Sequence, residues 1–338
     1  MKKLKKHLNV MYAADNNYAP FLGVSLYSLY ENNKDMDQIT TYVILDEVSD
    51  ENKNRLLKMS DKYERELRII DADNVKSLIE KLGVPKYRGS YATNYRMFFH
   101  LIIDDDVERL LYIDSDSIVC GSLEALTDMD MGETCAGVVL DALGNKYKLL
   151  LGFLPQDTYF NAGVTLINVP NWKKNRCDEI LIDHIKNTRA KYCNPDQDLL
   201  NLVLRGKTMV LPPEYNFMPV HRAYSDKAYS RCYGFDNYYS KAQIEYAREH
   251  PVILHTYRFM GEFPWHMGSV HPDNDAFDYY MERSPWKDYE KKPVVTGIIL
   301  KIEKQMYRIF PKGLFLLVFS KALYVSFKRK NTRLKREY

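Results

Sequence analysis

Leu110-Leu111-Tyr112-Ile113-Asp114-Ser115-Asp116 is the stretch on which the reading of this chain turns. A short apolar run is stopped by two carboxylates one residue apart. In extended backbone, residues two apart point to the same side, so Asp114 and Asp116 converge on one point at the end of a strand. In open α/β sheets the carboxyl ends of the strands are where ligands bind. A hard divalent ion held by a few carboxylates keeps coordination positions open for phosphate oxygens. Such triplets are also common in solvated turns, so the surroundings must decide.

Toward the amino terminus, short apolar runs alternate with helical patterns, which predicts α/β architecture with a mainly parallel sheet. Strands are expected at Leu8–Ala13, Thr41–Leu45 and Leu67–Ile70. A helix is expected from Pro20 to Asn33, with Leu22, Leu26 and Leu29 on its buried stripe. Beyond the acidic triplet, strands are expected at Ala136–Leu140, Val164–Ile167 and Val252–Leu254, with helices over Trp172–Lys186 and Gln197–Leu204. Pro212–Ala247 is tyrosine-rich and has no clear period. It reads either as an excursion that shapes an acceptor surface or as an irregular cover for the core.

The 338 residues carry a formal net charge of +3, too small to imply a nucleic-acid partner. Met1-Lys2-Lys3-Leu4-Lys5-Lys6 reads as a basic leader before the first strand; Asn9, Asp15, Asn16 and Asn17 interrupt any signal-peptide core. Five cysteines without a close pair indicate neither a disulfide framework nor a structural zinc site, and fit a reducing cytoplasm. From residue 297 to 338 large apolar residues mix with basic ones and end in Lys328, Arg329, Lys330, Arg333, Lys335 and Arg336. The run Leu314–Phe319 falls short of the roughly 20 residues a membrane-spanning helix needs. An in-plane anchor on an anionic inner leaflet is one reading; a helix pair docked on the core or on a partner chain is the other.

The passage from Tyr91 to Leu126, with Asn94-Tyr95-Arg96 and the acidic triplet, resembles glycosyltransferase family 8, the retaining bacterial galactosyl- and glucosyltransferases and glycogenin. Other blocks follow in the family's order: Ala13-Ala14-Asp15-Asn16-Asn17-Tyr18, Phe160-Asn161-Ala162-Gly163-Val164, Pro195-Asp196-Gln197-Asp198, and His255 followed by Pro264-Trp265. The resemblance covers residues 7–287. It implies a single Rossmann-like nucleotide-sugar-binding domain of the GT-A type, followed by a helical extension. It also implies a UDP-hexose donor, a glycan or glycolipid acceptor and Mn²⁺, with Mg²⁺ as an alternative.

In that frame Asp114, Asp116 and His255 hold the cation. Ala13, Ala14, Asp15 and Asn16 hold uracil and ribose, with Tyr18 either stacked on the base or part of the core. Ser115 and Gly261 complete the nucleotide site. Arg96 lies against the diphosphate or the sugar. Asn161 and Asp196 bind sugar hydroxyls within the block that includes Ala162 and Gly163, and Gln197 sits below the anomeric carbon. Read without the resemblance, Asn161-Ala162-Gly163 is a turn into a strand and Asp196 a helix cap.

One departure stands out. The family has a lysine immediately before Pro-Trp, where this chain has Phe263, preceded by an unwelcome negative charge on Glu262; Arg258 is the candidate substitute. Three readings compete with a retaining transferase. An inverting GT-A enzyme would need a carboxylate base at the acceptor. A nucleotide-sugar binder would bind without turnover, and a membrane-peripheral scaffold would depend on its tail.

Overall fold

The first strand, β1 (His7–Asp15), is buried on both faces over most of its length, as expected of a strand covered by helices on either side. It pairs in parallel with β2 (Gln38–Asp46), which pairs in parallel with β3 (Glu66–Asp71). On its other side β1 pairs in parallel with β4 (Arg109–Ile113). The remaining strands are β5 (Ser117–Val119), β6 (Ala136–Leu140), β7 (Phe160–Asn168), β8 (Thr208–Val210) and β9 (Ile253–His255). The main sheet runs β3-β2-β1-β4-β7-β6-β8, while β5 and β9 form a separate antiparallel ribbon. Strand β7 is antiparallel to both β4 and β6, and β6–β8 is parallel. This computed structural model describes residues 6–188, 192–294 and 297–332. The leader residues 1–5 and the terminal Arg333, Lys335 and Arg336 lie outside that range, as does the side chain of Lys330.

Strand order places β1 between β2 and β4, so the connections leave it in opposite directions. The crevice this opens at the carboxyl ends of β1 and β4 is the natural ligand position of such a sheet. All seven strands expected from apolar runs are present. The Trp172–Lys186 helix is two helices, Val169–Lys174 and Cys177–Asn187, because Arg176 takes a left-handed backbone (φ 52°) between them. Pro212–Ala247 is not irregular. It folds into short helices at Pro219–Ala223, Asp226–Tyr233 and Lys241–Glu249. Its tyrosines tie it down: Tyr229 donates to the Ala142 carbonyl, and Tyr239 donates to Leu211 and accepts from the Leu140 amide.

The domain closes on the first helix, Ala19–Asn32, where the Trp286 indole packs against Gly23. A β-carbon at Gly23 would sit 2.1 Å from that ring, so only glycine admits it. After residue 297, helices Ile298–Ile309 and Lys312–Thr332 form a pair. Tyr307, Phe315 and Leu316 are buried in the main core, while Ile298, Ile299, Ile302, Ile309, Leu314, Leu317 and Val318 face solvent. The extension is therefore docked on its inner face and apolar on its outer one. No described helix is long and apolar enough to cross a membrane.

Candidate active site

Asp114 and Asp116 follow β4, and two constraints aim them. The Asp114 amide donates to the Gly163 carbonyl at 2.7 Å, and the Ser115 hydroxyl to the Ala13 carbonyl at 2.7 Å. The chain then enters β5, whose Ser117 pairs with His255 of β9. That two-stranded ribbon brings His255 to the acidic pair across the 138 positions that separate it from Asp116. His255 Nε2 lies 3.3 Å from Asp116 Oδ1 and 3.6 Å from Asp114 Oδ2, and the three ligand atoms lie within 4.8 Å of one another.

The other imidazole nitrogen fixes the tautomer. His255 Nδ1 faces the amide oxygens of Asn161 (3.1 Å) and Asn216 (3.0 Å), and Asn216 in turn donates to Asn161 Oδ1 at 3.0 Å. Two acceptors require Nδ1 to carry the hydrogen, so the Nε2 lone pair points at two carboxylates. That arrangement is repulsive unless a proton or a cation stands between them. Burial by itself would lower the imidazole pKa, but the hydrogen bond and charge of Asp116, then Asp114, hold it above its ordinary value. Burial likewise raises Asp114 against the opposing charge of Arg96. A histidine and two carboxylates, with the imidazole oriented from behind, form a donor set suited to a divalent cation.

Arg96 is buried (6% exposed) and fully engaged. Its guanidinium grips Asp114 through Nη2 (2.6 Å) and Nη1 (3.3 Å), reaches the Ala162 carbonyl at 2.8 Å, and uses Nε on the Thr93 carbonyl and Asp196. It also lies over the Tyr112 ring, whose hydroxyl donates to Asp114. Arg96 thus holds the carboxylates of Asp114 and Asp196 while itself lining the cleft.

Beyond the cluster, Gln197 accepts from the Ala162 amide and donates to Asp141 and Tyr159. Asp141 also accepts from Asn161 Nδ2 and the Leu143 amide; burial pushes its carboxyl up, opposed by Asn161 and Gln197. Sequence reasoning missed Asp141, although it ends an apolar strand just as Asp114 does. It also missed Asn216 and Asn194.

Asp114, Asp116, His255, Arg96, Asn161, Asp141, Asn194, Asp196 and Gln197 line one cleft of about 440 Å³, together with Ala13, Asp15, Tyr18, Ser115 and Gly163, while Asn216 stands behind His255. Ala14 and Ala162 lie in the strands behind it. Asn16 does not face this cleft, because its side-chain oxygen accepts from Ser49 and Asn52 at the start of the next helix. Gly261 is also elsewhere, in a left-handed turn (φ +77°) against Leu300 of the extension. No residue of 212–247 lines the cleft among the described residues. Phe263 stacks on Trp265 (4.3 Å, 8°) and meets Tyr18 edge-on. Glu262 is turned away from the cleft and paired with Lys304, which removes its expected charge from the donor. Arg258 and Arg88 both line the mouth.

Sheet order, crevice and acidic cluster together define a GT-A fold. Solved structures of that fold align with most of the chain. The galactosyltransferase LgtC, with donor and acceptor sugar analogs, matches at TM-score 0.63 and 24% identity, covering 82% of this chain and 96% of its own. The bifunctional WbbM matches at TM-score 0.69 and 22% identity over 85% of this chain and 52% of its own, so the present chain spans about half of that protein. A profile described as glycosyl transferase family 8 matches residues 9–268, and the chain belongs to that family. Among curated relatives, a lipopolysaccharide 1,2-glucosyltransferase of Escherichia coli K12 is 27% identical over 83% of this chain and 79% of its own length. A lipopolysaccharide 1,3-galactosyltransferase of Salmonella typhimurium is 25% identical over 82% and 79%. The protein is a glycosyltransferase-family transferase.

Proposed function

We propose that this chain is a retaining, Mn²⁺-dependent hexosyltransferase that moves galactose or glucose from a UDP-sugar to an acceptor hydroxyl during cell-surface glycan synthesis. The observation that carries the proposal is the imidazole lone pair of His255 aimed at Asp114 and Asp116. The named activities of the lipopolysaccharide relatives support the hexose and the acceptor class. Mn²⁺, when bound, supplies a Lewis acid for the charge that develops on the leaving diphosphate.

The remaining work falls to side chains. Asp15 and Tyr18 receive the nucleoside at the end of β1. Asn161, Asp141 and Asp196 offer hydrogen-bond partners to the hexose. The bond between the anomeric carbon and the phosphate oxygen breaks, and its electron pair leaves with UDP. The acceptor oxygen bonds to the same face of the anomeric carbon, and its proton passes to the departing phosphate oxygen. Front-side attack is favoured because, among the described residues, the groups beside the expected hexose position are all engaged: Asp196 is paired with Arg96, Asp141 accepts from three amides, and Gln197 is itself an amide.

Arg258 takes the part of the family's lysine in this proposal. It lies over the Phe263 ring at 5.5 Å, and both burial and the neighbouring charge of Arg88 lower its pKa. An anionic ligand relieves that repulsion. Melting curves with nucleotide and cation test the whole reading. UDP should raise the melting temperature only with Mn²⁺, by the usual mass-action stabilisation, and EDTA should reverse the rise. UDP release from UDP-glucose or UDP-galactose then separates a transferase from a binder. Arg258→Ala should raise the donor KM about tenfold, the loss of one charge-assisted contact. An equal shift by UDP without cation would discard the metal, and an unchanged KM would discard Arg258.

The outer apolar face of the extension, with Lys301, Arg308, Lys321, Lys328 and Arg329 exposed around it, supports peripheral attachment to an anionic inner leaflet. Ile298→Ser/Ile299→Ser/Ile302→Ser should remain with the soluble fraction when the parent floats with phosphatidylglycerol vesicles. Equal flotation of both would count against this face.

A further inference from the structure

Among the described residues, the wall of the cleft draws on residues 13–263 and on one residue far outside that range, Phe327 of the last helix. The family profile ends at residue 268, so Phe327 lies outside the matched region.

Its position is set by the far end of the cleft. The Phe327 ring meets Tyr147 edge-on at 5.0 Å and 68°. Tyr147 accepts from Asn194 Nδ2 at 3.0 Å and donates to Asp198. Asn194 opens the helix that carries Asp196 and Gln197. The helix bearing Phe327 is anchored by buried Phe315 and Leu316, and Lys146 lies over its Tyr324 ring at 5.4 Å. Phe327 itself is half-buried.

Hydrogen bonds order the cleft from one end to the other. Ala13 leads through Ser115 to Asp114, and His255 leads through Asn161 to Asp141 and Gln197. The nucleoside belongs at the Ala13–Tyr18 end, the diphosphate at the acidic cluster and the hexose at Asn161, Asp141 and Gln197. An acceptor that attacks on the face the phosphate leaves must enter alongside the hexose, and the apolar ring at that end of the cleft is Phe327. Pyranose rings carry a face of C–H groups that packs on aromatic faces, whose electrons are negative at the centre.

We propose that Phe327 is an acceptor-side platform that stacks on a sugar ring of the acceptor and determines specificity for it. This rests on the transferase reading above. Phe327→Trp places a reporter in the wall, and the probes are octyl β-glucoside and octyl β-galactoside below their micellar concentrations. With UDP and Mn²⁺ present, emission of the variant minus that of the parent should change saturably with at least one glycoside. Phe327→Ala should lower transfer to that glycoside by raising its KM about tenfold, the share a stacked ring carries. Donor hydrolysis should fall less than transfer does, because the ring is placed toward the acceptor. A silent Phe327→Trp variant, or an Ala variant that loses donor hydrolysis as much as transfer, overturns the platform. Failure of UDP and Mn²⁺ to stabilise the parent would instead strike the transferase reading itself.

Discussion

Gly163→Ala is expected to abolish cation-dependent nucleotide binding and to cut turnover by about 100-fold or more, with little loss of fold. Gly163 lies in β7 beneath the cluster. A β-carbon there would stand 2.1 Å from His255 Cε1, 2.5 Å from Nδ1 and 2.9 Å from Asp114 Oδ2. The imidazole cannot lean away cheaply, because Asn161 and Asn216 hold Nδ1 and the β5–β9 ribbon holds the backbone. Displacing it costs a ligand, and errors of about an ångström in a supported site are enough to cost some 100-fold. Calorimetric titration with Mn²⁺ and UDP release by the variant are the measurements. Gly137→Ala is the control, since the nearest atoms its β-carbon would meet belong to the Leu211 side chain, at 3.1 Å, and turnover should survive. If His255 is the group displaced, Gly163→Ala combined with His255→Ala should be no worse than His255→Ala alone. Near-parental Mn²⁺ affinity in Gly163→Ala would remove His255 from the cluster.

The second large effect is on Arg96→Met. Arginine holds Asp114 and Asp196 together in a buried position, so its loss leaves two carboxylates without a counter-charge. Breaking a buried pair by removing one partner costs about 3–5 kcal/mol. The variant should melt several degrees lower, and Mn²⁺ should restore part of the difference because the cation supplies charge at Asp114. Arg96→Lys should fall between, since an ammonium cannot bond Asp114 twice and reach Asp196 as well. Scanning calorimetry with and without Mn²⁺ reads both effects. Equal melting of Arg96→Met and parent would show the carboxylates to be solvated and the guanidinium dispensable.

Much of this fold could be read from periodicity because its sheet is buried on both faces, which makes every long strand an apolar run. Strands β5 and β8 escaped because each is three residues long and opens on a polar residue, Ser117 or Thr208, whereas the equally short β9 overlaps the apolar run Val252–Leu254; yet β5 is what delivers His255. Arg176 broke a helix whose side-chain pattern continues through it, since a left-handed residue leaves no mark on hydrophobic spacing. The tyrosines of Pro212–Ala247 resemble an acceptor surface in composition, but Tyr229 and Tyr239 spend their hydroxyls on backbone groups and Tyr238 on His221. At the site, residues at strand ends were legible. Asp141 carried the same signal as Asp114 and was passed over for want of a neighbouring carboxylate. Asn216 and Asn194 gave no signal at all, because a loop amide acquires its role only from what the fold sets beside it.

The Glu262–Lys304 pair bears on how the protein is handled. Glu262 is nearly enclosed, and its counter-ion comes from the extension, so the last two helices form part of the electrostatic balance of the body. A shortened chain, made to improve yield, would strand that carboxylate a few positions from Arg258 and the mouth of the cleft. Its poor behaviour would then be misread as a lipid requirement. Exchanging outward-facing isoleucines for serines leaves the ion pair whole, and lets solubility be gained without disturbing catalysis.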